Sequence, residues 1–182
     1  MEDWWNDAYE AEQRRRYAEI RSRYPDLVQG HLFSCHQGWF GILERLFGEI
    51  EHILKDGDPS RFQLRQVKEK LGGLRVYWRY GSLEKTADGE SVRDTDIRDR
   101  IMLAVFSAEA RSERTCEVCG KPGHMRVQSG WYATRCDEHG ADMEVRPPAD
   151  QQAAFKPQLR FSDGRMFIFD REVDRAVEVH GS

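Results

Sequence analysis

Apolar side chains recur at three- and four-residue spacing from Trp39 through Ile42, Leu43, Leu46, Phe47, Ile50, Ile53 and Leu54. That spacing lines one face of a helix, so the pattern predicts a core-facing helix through Lys55, with Gly57 as its stop signal. Downstream the period changes to two. Leu74, Val76, Trp78 and Tyr80 alternate with Arg75, Tyr77 and Arg79, while Phe62 and Leu64 alternate with Arg61, Gln63 and Arg65. Alternation predicts half-buried strands, here a hairpin over 61–80 turning at Gly72-Gly73. Ile97, Ile101, Ala104, Val105 and Ala108 restore the helical spacing and predict a helix over 95–112, with Asp94, Asp96 and Asp99 at its positive end. Residues 4–22 read as an Arg- and Glu-rich helix with Trp4, Trp5, Tyr9, Tyr17 and Ile20 on its apolar side, stopped by Pro25. The polar run 82–94 reads as a surface loop, and Pro147-Pro148 with Gln151-Gln152 as a linker. The tail predicts a hairpin of 158–161 and 165–169 around Ser162-Asp163-Gly164. It is expected to pack back on the body, because an exposed apolar strand invites aggregation.

Distinctive chemistry lies in 115–140. Cys116-Glu117-Val118-Cys119-Gly120 and Cys136-Asp137-Glu138-His139 spell C-x2-C, a gap of sixteen residues, then C-x2-H. Each pair lets one tight turn present two ligands to one ion, and Gly120 relieves the strain of the knuckle. Three thiolates and an imidazole satisfy a tetrahedral Zn²⁺ at about 2.3 Å and about 2.0 Å, with no position left for water, which is structural rather than catalytic chemistry. The gap holds His124–Val127, a Gln128-Ser129-Gly130 turn and Trp131–Thr134, a hairpin between the ligand pairs. Two alternatives use the same residues. Cys116 and Cys119 could be a redox pair, although Gly120-Lys121-Pro122-Gly123 breaks the helix such a pair should open. His124 could replace His139, against the finger spacing.

The fold class expected is α+β: helices packed on a small antiparallel hairpin or sheet, followed by a treble-clef-like or ribbon-like zinc finger. The organisation reads as an N-terminal helix over 1–30, a body with the basic hairpin over 31–114, the finger over 115–140, and a linker with a hairpin tail over 141–182. A chain of 182 residues can bury a sizeable core. No run of about 18 apolar residues is present, so no membrane span is expected. The start Met1-Glu2-Asp3-Trp4-Trp5 lacks the basic and apolar regions of a secretion signal, which makes the cytoplasm the default expectation. In that setting four cysteines favour metal over disulfides.

The net charge of −4 excludes a histone-like polycation. Locally the balance differs, because Arg61–Gly81 carries six basic residues and one acid. Alternation should place Arg61, Arg65, Arg75, Tyr77 and Arg79 on one face, where guanidinium forks and an aromatic ring suit phosphates, bases or a nucleotide. The competing reading is a solvated sheet face salt-bridged to acidic helices. No phosphate-loop or dinucleotide fingerprint occurs, and no nucleophile elbow or H-E-x-x-H. Cys35 and His36 are adjacent and should point apart in an extended chain, leaving Cys35 a buried inert thiol. No residue is assigned a catalytic role.

In order along the chain stand Gly38-Trp39-Phe40, Lys68-Glu69-Lys70-Leu71-Gly72-Gly73-Leu74-Arg75, Cys116-Glu117-Val118-Cys119-Gly120-Lys121-Pro122-Gly123, Gly130-Trp131-Tyr132 and Cys136-Asp137-Glu138-His139. This series resembles a group of small zinc-site proteins encoded by phages and bacteria, over about residues 30–140. The resemblance implies zinc at Cys116, Cys119, Cys136 and His139 and a compact α+β body before the finger. It brings no activity with it. The function expected is binding without catalysis: a zinc-stabilised adaptor or inhibitor with a protein partner, in a phage setting one that interferes with a host system. The alternatives are nucleic-acid or nucleotide binding through the arginine face, and an enzyme of a class the motifs do not identify.

Overall fold

The Trp39–Leu54 stripe forms the centre of the core. In the computed structural model, which describes residues 4–30, 33–81 and 92–180, a 3-10 turn over Gln37–Trp39 runs into helix α3 (Phe40–Leu54). Trp39, Phe40, Leu43, Leu46, Phe47 and Ile50 are fully buried there. Ahead of it, α1 (Asp7–Arg23) is capped by the Asn6 side chain, which accepts a hydrogen bond from Tyr9 N at 3.0 Å. Ile20 is the only α1 residue that is fully buried. Pro25 ends that helix and begins another, α2 (Pro25–Val28), because at a first helical position its missing N–H leaves nothing unsatisfied.

The expected hairpin is β2 (Phe62–Lys70) and β3 (Gly73–Tyr80), and β1 (Phe33–Ser34) joins β2 in parallel. Two details correct the sequence pattern. The turn residues are Leu71 and Gly72, at φ 53° and 80°, and Gly73 already pairs with Lys70. Leu71 is held in that strained region beside a close bond, 2.6 Å, from Gly72 N to Glu69 Oε1. The second detail is a bulge. Leu64 faces Trp78 and Gln66 faces Tyr77, so Arg65 is the extra residue and the inward phase passes to Val67.

Helix α4 (Val92–Ser112) packs against α3 and along β3. It begins three residues before the predicted start; the rest of the expected loop, 82–91, lies outside the described residues. β3 is an edge strand whose donors face the helix: Leu74 N bonds Ser112 Oγ at 2.9 Å and Val76 N bonds Glu109 Oε1 at 3.0 Å. Side chains of α4 thereby close an edge that could otherwise recruit another strand.

The cysteine segment carries β4 (His124–Gln128) and β5 (Trp131–Arg135), as predicted, with a short β6 (Glu144–Val145) added on β4. The expected linker is instead helical, α5 (Ala149–Ala154). Gln152 fixes it by bonding both backbone groups of Met125, at 2.9 and 3.0 Å. The tail is a three-stranded sheet, β7 (Gln158–Arg160), β8 (Met166–Asp170) and β9 (Arg175–Val179), one strand more than the pattern predicts. It packs on α4, burying Phe161, Phe167 and Phe169, and Asp174 receives Arg111 at 2.9 Å together with Arg45. The chain is α+β, with helices and three small sheets, and among the described residues no helix is long and apolar enough to cross a membrane.

Candidate metal centre

Two turns and a hairpin bring the four predicted ligands together. Cys116 and Cys119 sit on the knuckle after α4, closed by Gly120 N to Cys116 O at 2.8 Å with Gly120 at φ 79°. β4 and β5 return the chain across the knuckle, and Cys136 and His139 occupy the turns that follow β5. Residues 137–140 form turns rather than the start of a helix. The ligand atoms of all four residues lie within 4.8 Å of one another.

Donor geometry tests the fit. Tetrahedral coordination at about 2.3 Å for sulfur and 2.0 Å for nitrogen sets sulfur–sulfur separations of about 3.8 Å and sulfur–nitrogen separations of about 3.5 Å. The structure places Cys119 Sγ 3.8 Å from Cys136 Sγ. His139 Nδ1 lies 3.7 Å from Cys116 Sγ and 3.2 Å from Cys136 Sγ. A disulfide would need about 2 Å between sulfurs, and all four cysteines of the chain are free. The cluster can therefore hold a metal ion. His124 is exposed on β4, outside the cluster.

The cluster is wedged against the body. Gly38 N donates to Glu117 O at 2.7 Å, and a Cβ on Gly38 would collide with the carbonyls of Cys116 and Glu117. Trp39, in the core, donates its indole N–H to Thr115 O at 2.7 Å. On the other side Thr134 Oγ1 donates to Gly72 O at 2.6 Å, tying β5 to the β2–β3 turn. Beneath the ligand turns lie two buried arginines. Arg126 reaches Gly140 O at 2.8 Å and Asp137, bracing the turn that carries His139. Arg135 pairs with Glu117 Oε2 at 2.8 Å, and Glu117 Oε1 accepts from His36 N at 3.2 Å.

An aromatic group closes the cluster from the N-terminal side. Trp4 and Tyr9 pack against Cys116, Val118 and Cys136, and the Trp4 ring lies 6.0 Å from His139 and 5.1 Å from His36. Arg135 stacks 5.4 Å from the Trp4 ring. Burial, with Arg135 nearby, lowers the His36 pKa to about 4, so its imidazole is neutral at pH 7. Burial likewise pushes the Tyr9 hydroxyl far above its usual range. Trp4 and Trp5 precede the Asn6 cap, so they are not the apolar side of a helix as predicted. Their packing partners are over 30 and over 100 residues away, which no local period can reveal. The buried arginines were missed for another reason, since charged side chains are ordinarily outside. The available signal was Glu117, a carboxylate between two ligands that calls for a partner.

The arginine face is only partly assembled. Arg75, Tyr77 and Arg79 alternate along β3, but Arg61 precedes β2 and the bulge removes Arg65 from the alternation. Arg61 pairs with Asp94 at 2.6 Å, and Arg75 bonds Leu74 O at 2.6 Å with Glu109 3.9 Å away. Lys68 lies over the exposed Tyr77 ring at 5.0 Å, and Arg65 reaches Gln63 at 3.3 Å. Cys35 and His36 do point apart, the thiol into the main core and the imidazole toward Trp4 and Trp5. Burial raises the Cys35 thiol pKa well beyond its ordinary value, so the pair offers no thiolate at neutral pH. Comparison of the chain with known protein families, curated proteins and solved structures gives no match to any of them.

Proposed function

We propose that the chain is a zinc-stabilised binding protein that acts through a protein partner, as an adaptor or inhibitor, rather than by catalysis. The observation that carries this reading is the compact donor set: three sulfurs and one imidazole within 4.8 Å of one another, with the Cys119–Cys136, Cys116–His139 and Cys136–His139 separations close to tetrahedral values, Cys116 and Cys136 buried, and body segments packed on both sides. Such a set favours zinc over harder cations and keeps no position for a substrate. The metal's contribution is to fold a small segment and to lock it to the α3 core. The knuckle, hairpin and second ligand turn follow a finger-like plan of the ribbon kind, since no helix starts at the second pair. The partner reading draws on the exposed apolar residues Leu71, Trp131 and Tyr132, which gather where the two hairpins adjoin. In this reading the chain is one of the small phage and bacterial zinc-site proteins its motif series resembles, working in a cytoplasm, where reduced thiolates persist.

Nucleotide or nucleic-acid binding is the second reading, favoured by the exposed Arg65 and Tyr77. It is weakened by the carboxylates already beside Arg61 and Arg75. Native mass spectrometry of protein purified without added metal tests both. One zinc per chain, lost on denaturation, supports the first reading, and a nucleotide-sized adduct supports the second. Absence of metal with Cys116 and Cys119 oxidised refutes the zinc reading.

A further inference from the structure

Between the two hairpins, beside the metal cluster, lies an open cavity of about 350 Å³. Glu69, Glu117, Arg135 and His36 line it, and Trp131 and Tyr132 belong to the same lining. Its charge is unbalanced. Arg135 is bound to Glu117, and among the described residues no lysine or arginine pairs with Glu69. Lys68 and Lys70 do not supply that charge, because alternation turns them to the opposite face of β2 from Glu69 and Val67. Burial, with Glu117 as a smaller contribution, raises the Glu69 pKa, although the Gly72 N–H and the charges of Arg135 and Arg75 act the other way.

The cavity floor also has unmet hydrogen-bonding capacity. His36 Nδ1 and Arg135 Nε are buried without a partner, and Trp4 Nε1 and Gln37 Oε1 nearby share that condition. Buried polar atoms left unpaired cost about 1–3 kcal/mol each, and two of these four, on His36 and Arg135, belong to residues that line the cavity. Finally, Trp131 is 81% exposed, next to Tyr132 at 41% and Leu71 at 66%. Among the described residues nothing packs over this indole. The face of an indole attracts cations, and a planar guanidinium best.

We propose that this cavity binds an arginine side chain of a protein partner, with the guanidinium pairing with Glu69 and stacking on Trp131. The inference rests on the partner-binding reading and names the side chain recognised. Two carboxylates in the lining repel a phosphate. A lone small cation would not use the exposed Trp131 face, whereas a guanidinium can pair with Glu69 and stack on the indole together.

The test uses the full zinc-loaded chain and N-acetyl-arginine amide, followed through the Trp131 indole N–H resonance, assigned with Trp131→Phe. A saturable shift with a Kd on the order of 1 mM is expected for a ligand of this size. Glu69→Gln should weaken binding about tenfold, the effect of removing one desolvated charge pair. That variant keeps the acceptor for Gly72 N, and an unchanged zinc content shows that the fold is intact. The uncharged isostere N-acetyl-citrulline amide should leave the resonance in place. Equal binding of arginine and citrulline amides, an unaffected Glu69→Gln, or a preference for guanosine monophosphate each overturns the assignment. The two readings fail separately. A defined partner complex that survives Trp131→Ala and Glu69→Gln overturns the cavity assignment alone. Arginine amide binding in a chain that forms no protein complex upholds the cavity and refutes the adaptor.

Discussion

Glu117 is the most consequential side chain of the knuckle that is not a ligand. Its carboxylate accepts from Arg135 Nη1 at 2.8 Å and from His36 N at 3.2 Å, with Glu117 and Arg135 side chains 4% and 7% exposed. Replacing Glu117 by Ala strands the guanidinium in a site closed by Trp4 and leaves the His36 amide without its acceptor. Removing one partner of a buried ion pair costs about 3–5 kcal/mol, because the remaining charge has lost both water and counter-charge. At about 2–4 °C per kcal/mol for a chain of this size, the melting temperature should fall by roughly 6–20 °C. Glu117→Gln keeps the shape and an acceptor, so it should cost less. The double variant Glu117→Gln/Arg135→Met should recover much of the loss, since no buried charge remains. The assay is thermal and urea unfolding of the metal-loaded proteins, with metal content measured on each, so that a lost ion is not mistaken for a lost pair. A Glu117→Ala cost below about 1 kcal/mol, or strictly additive single effects in the double variant, would refute the argument that this pair is buried and coupled.

Gly38→Ala should destabilise by about 1–3 kcal/mol or more and weaken metal retention, because the new methyl meets backbone carbonyls that cannot move without displacing Cys116; chelator competition reads the second effect. Chelation of the metal should abolish hydrogen-exchange protection in β4 and β5 while α3, whose core is its own, stays protected. A concerted loss in both would show that the metal holds the whole fold. His36 has a folded pKa near 4 against about 6.5 unfolded, so the unfolded state binds more protons between those values. Stability from keeping it neutral is therefore complete above pH 6.5 and falls as pH drops toward 4, by at most about 3 kcal/mol. Comparing wild type with His36→Asn across that window isolates the term, since acid acts on the thiolates of both. A difference that does not change with pH contradicts a buried neutral imidazole.

What the sequence revealed and what it hid divide along a physical line. Helix α3 and the metal ligands are local signals, a period of 3.6 and two x2 spacings, and both survive into the fold intact. The bulge at Arg65 was hidden because Arg65 and Gln66 are both polar. Only the arrival of Val67 one position late records the change of phase. The helix at Ala149–Ala154 was hidden for a different reason: Ala and Gln favour a helix, but six residues are too short to hold one alone, and it is fixed by Gln152 reaching Met125. Trp4, Arg126 and Arg135 were hidden because their roles exist only after distant segments meet.

The short motifs scattered over 38–139 turn out to be one contiguous piece of structure. Gly38 and Trp39 abut Thr115 and Glu117. Glu69 and Gly72 lie against Ala133 and Thr134, and Gly120 approaches Gly38 O so closely that a Cβ would sit 3.0 Å from it. Packing accounts for the glycines, for Trp39 and for the four clustered residues: each fills or permits the seam between the body and the cysteine segment. It does not account for the exposed Trp131, or for Glu69 being charged there, since Glu69 accepts from Gly72 N but has no lysine or arginine paired with it among the described residues. Residues of that kind, apolar in water or charged under cover, are the ones a binding partner explains. In the proposed reading, the partner surface is therefore the side of the seam where the cavity opens, and the arginine face of β3 is the alternative that the nucleotide arm of the mass-spectrometry test addresses.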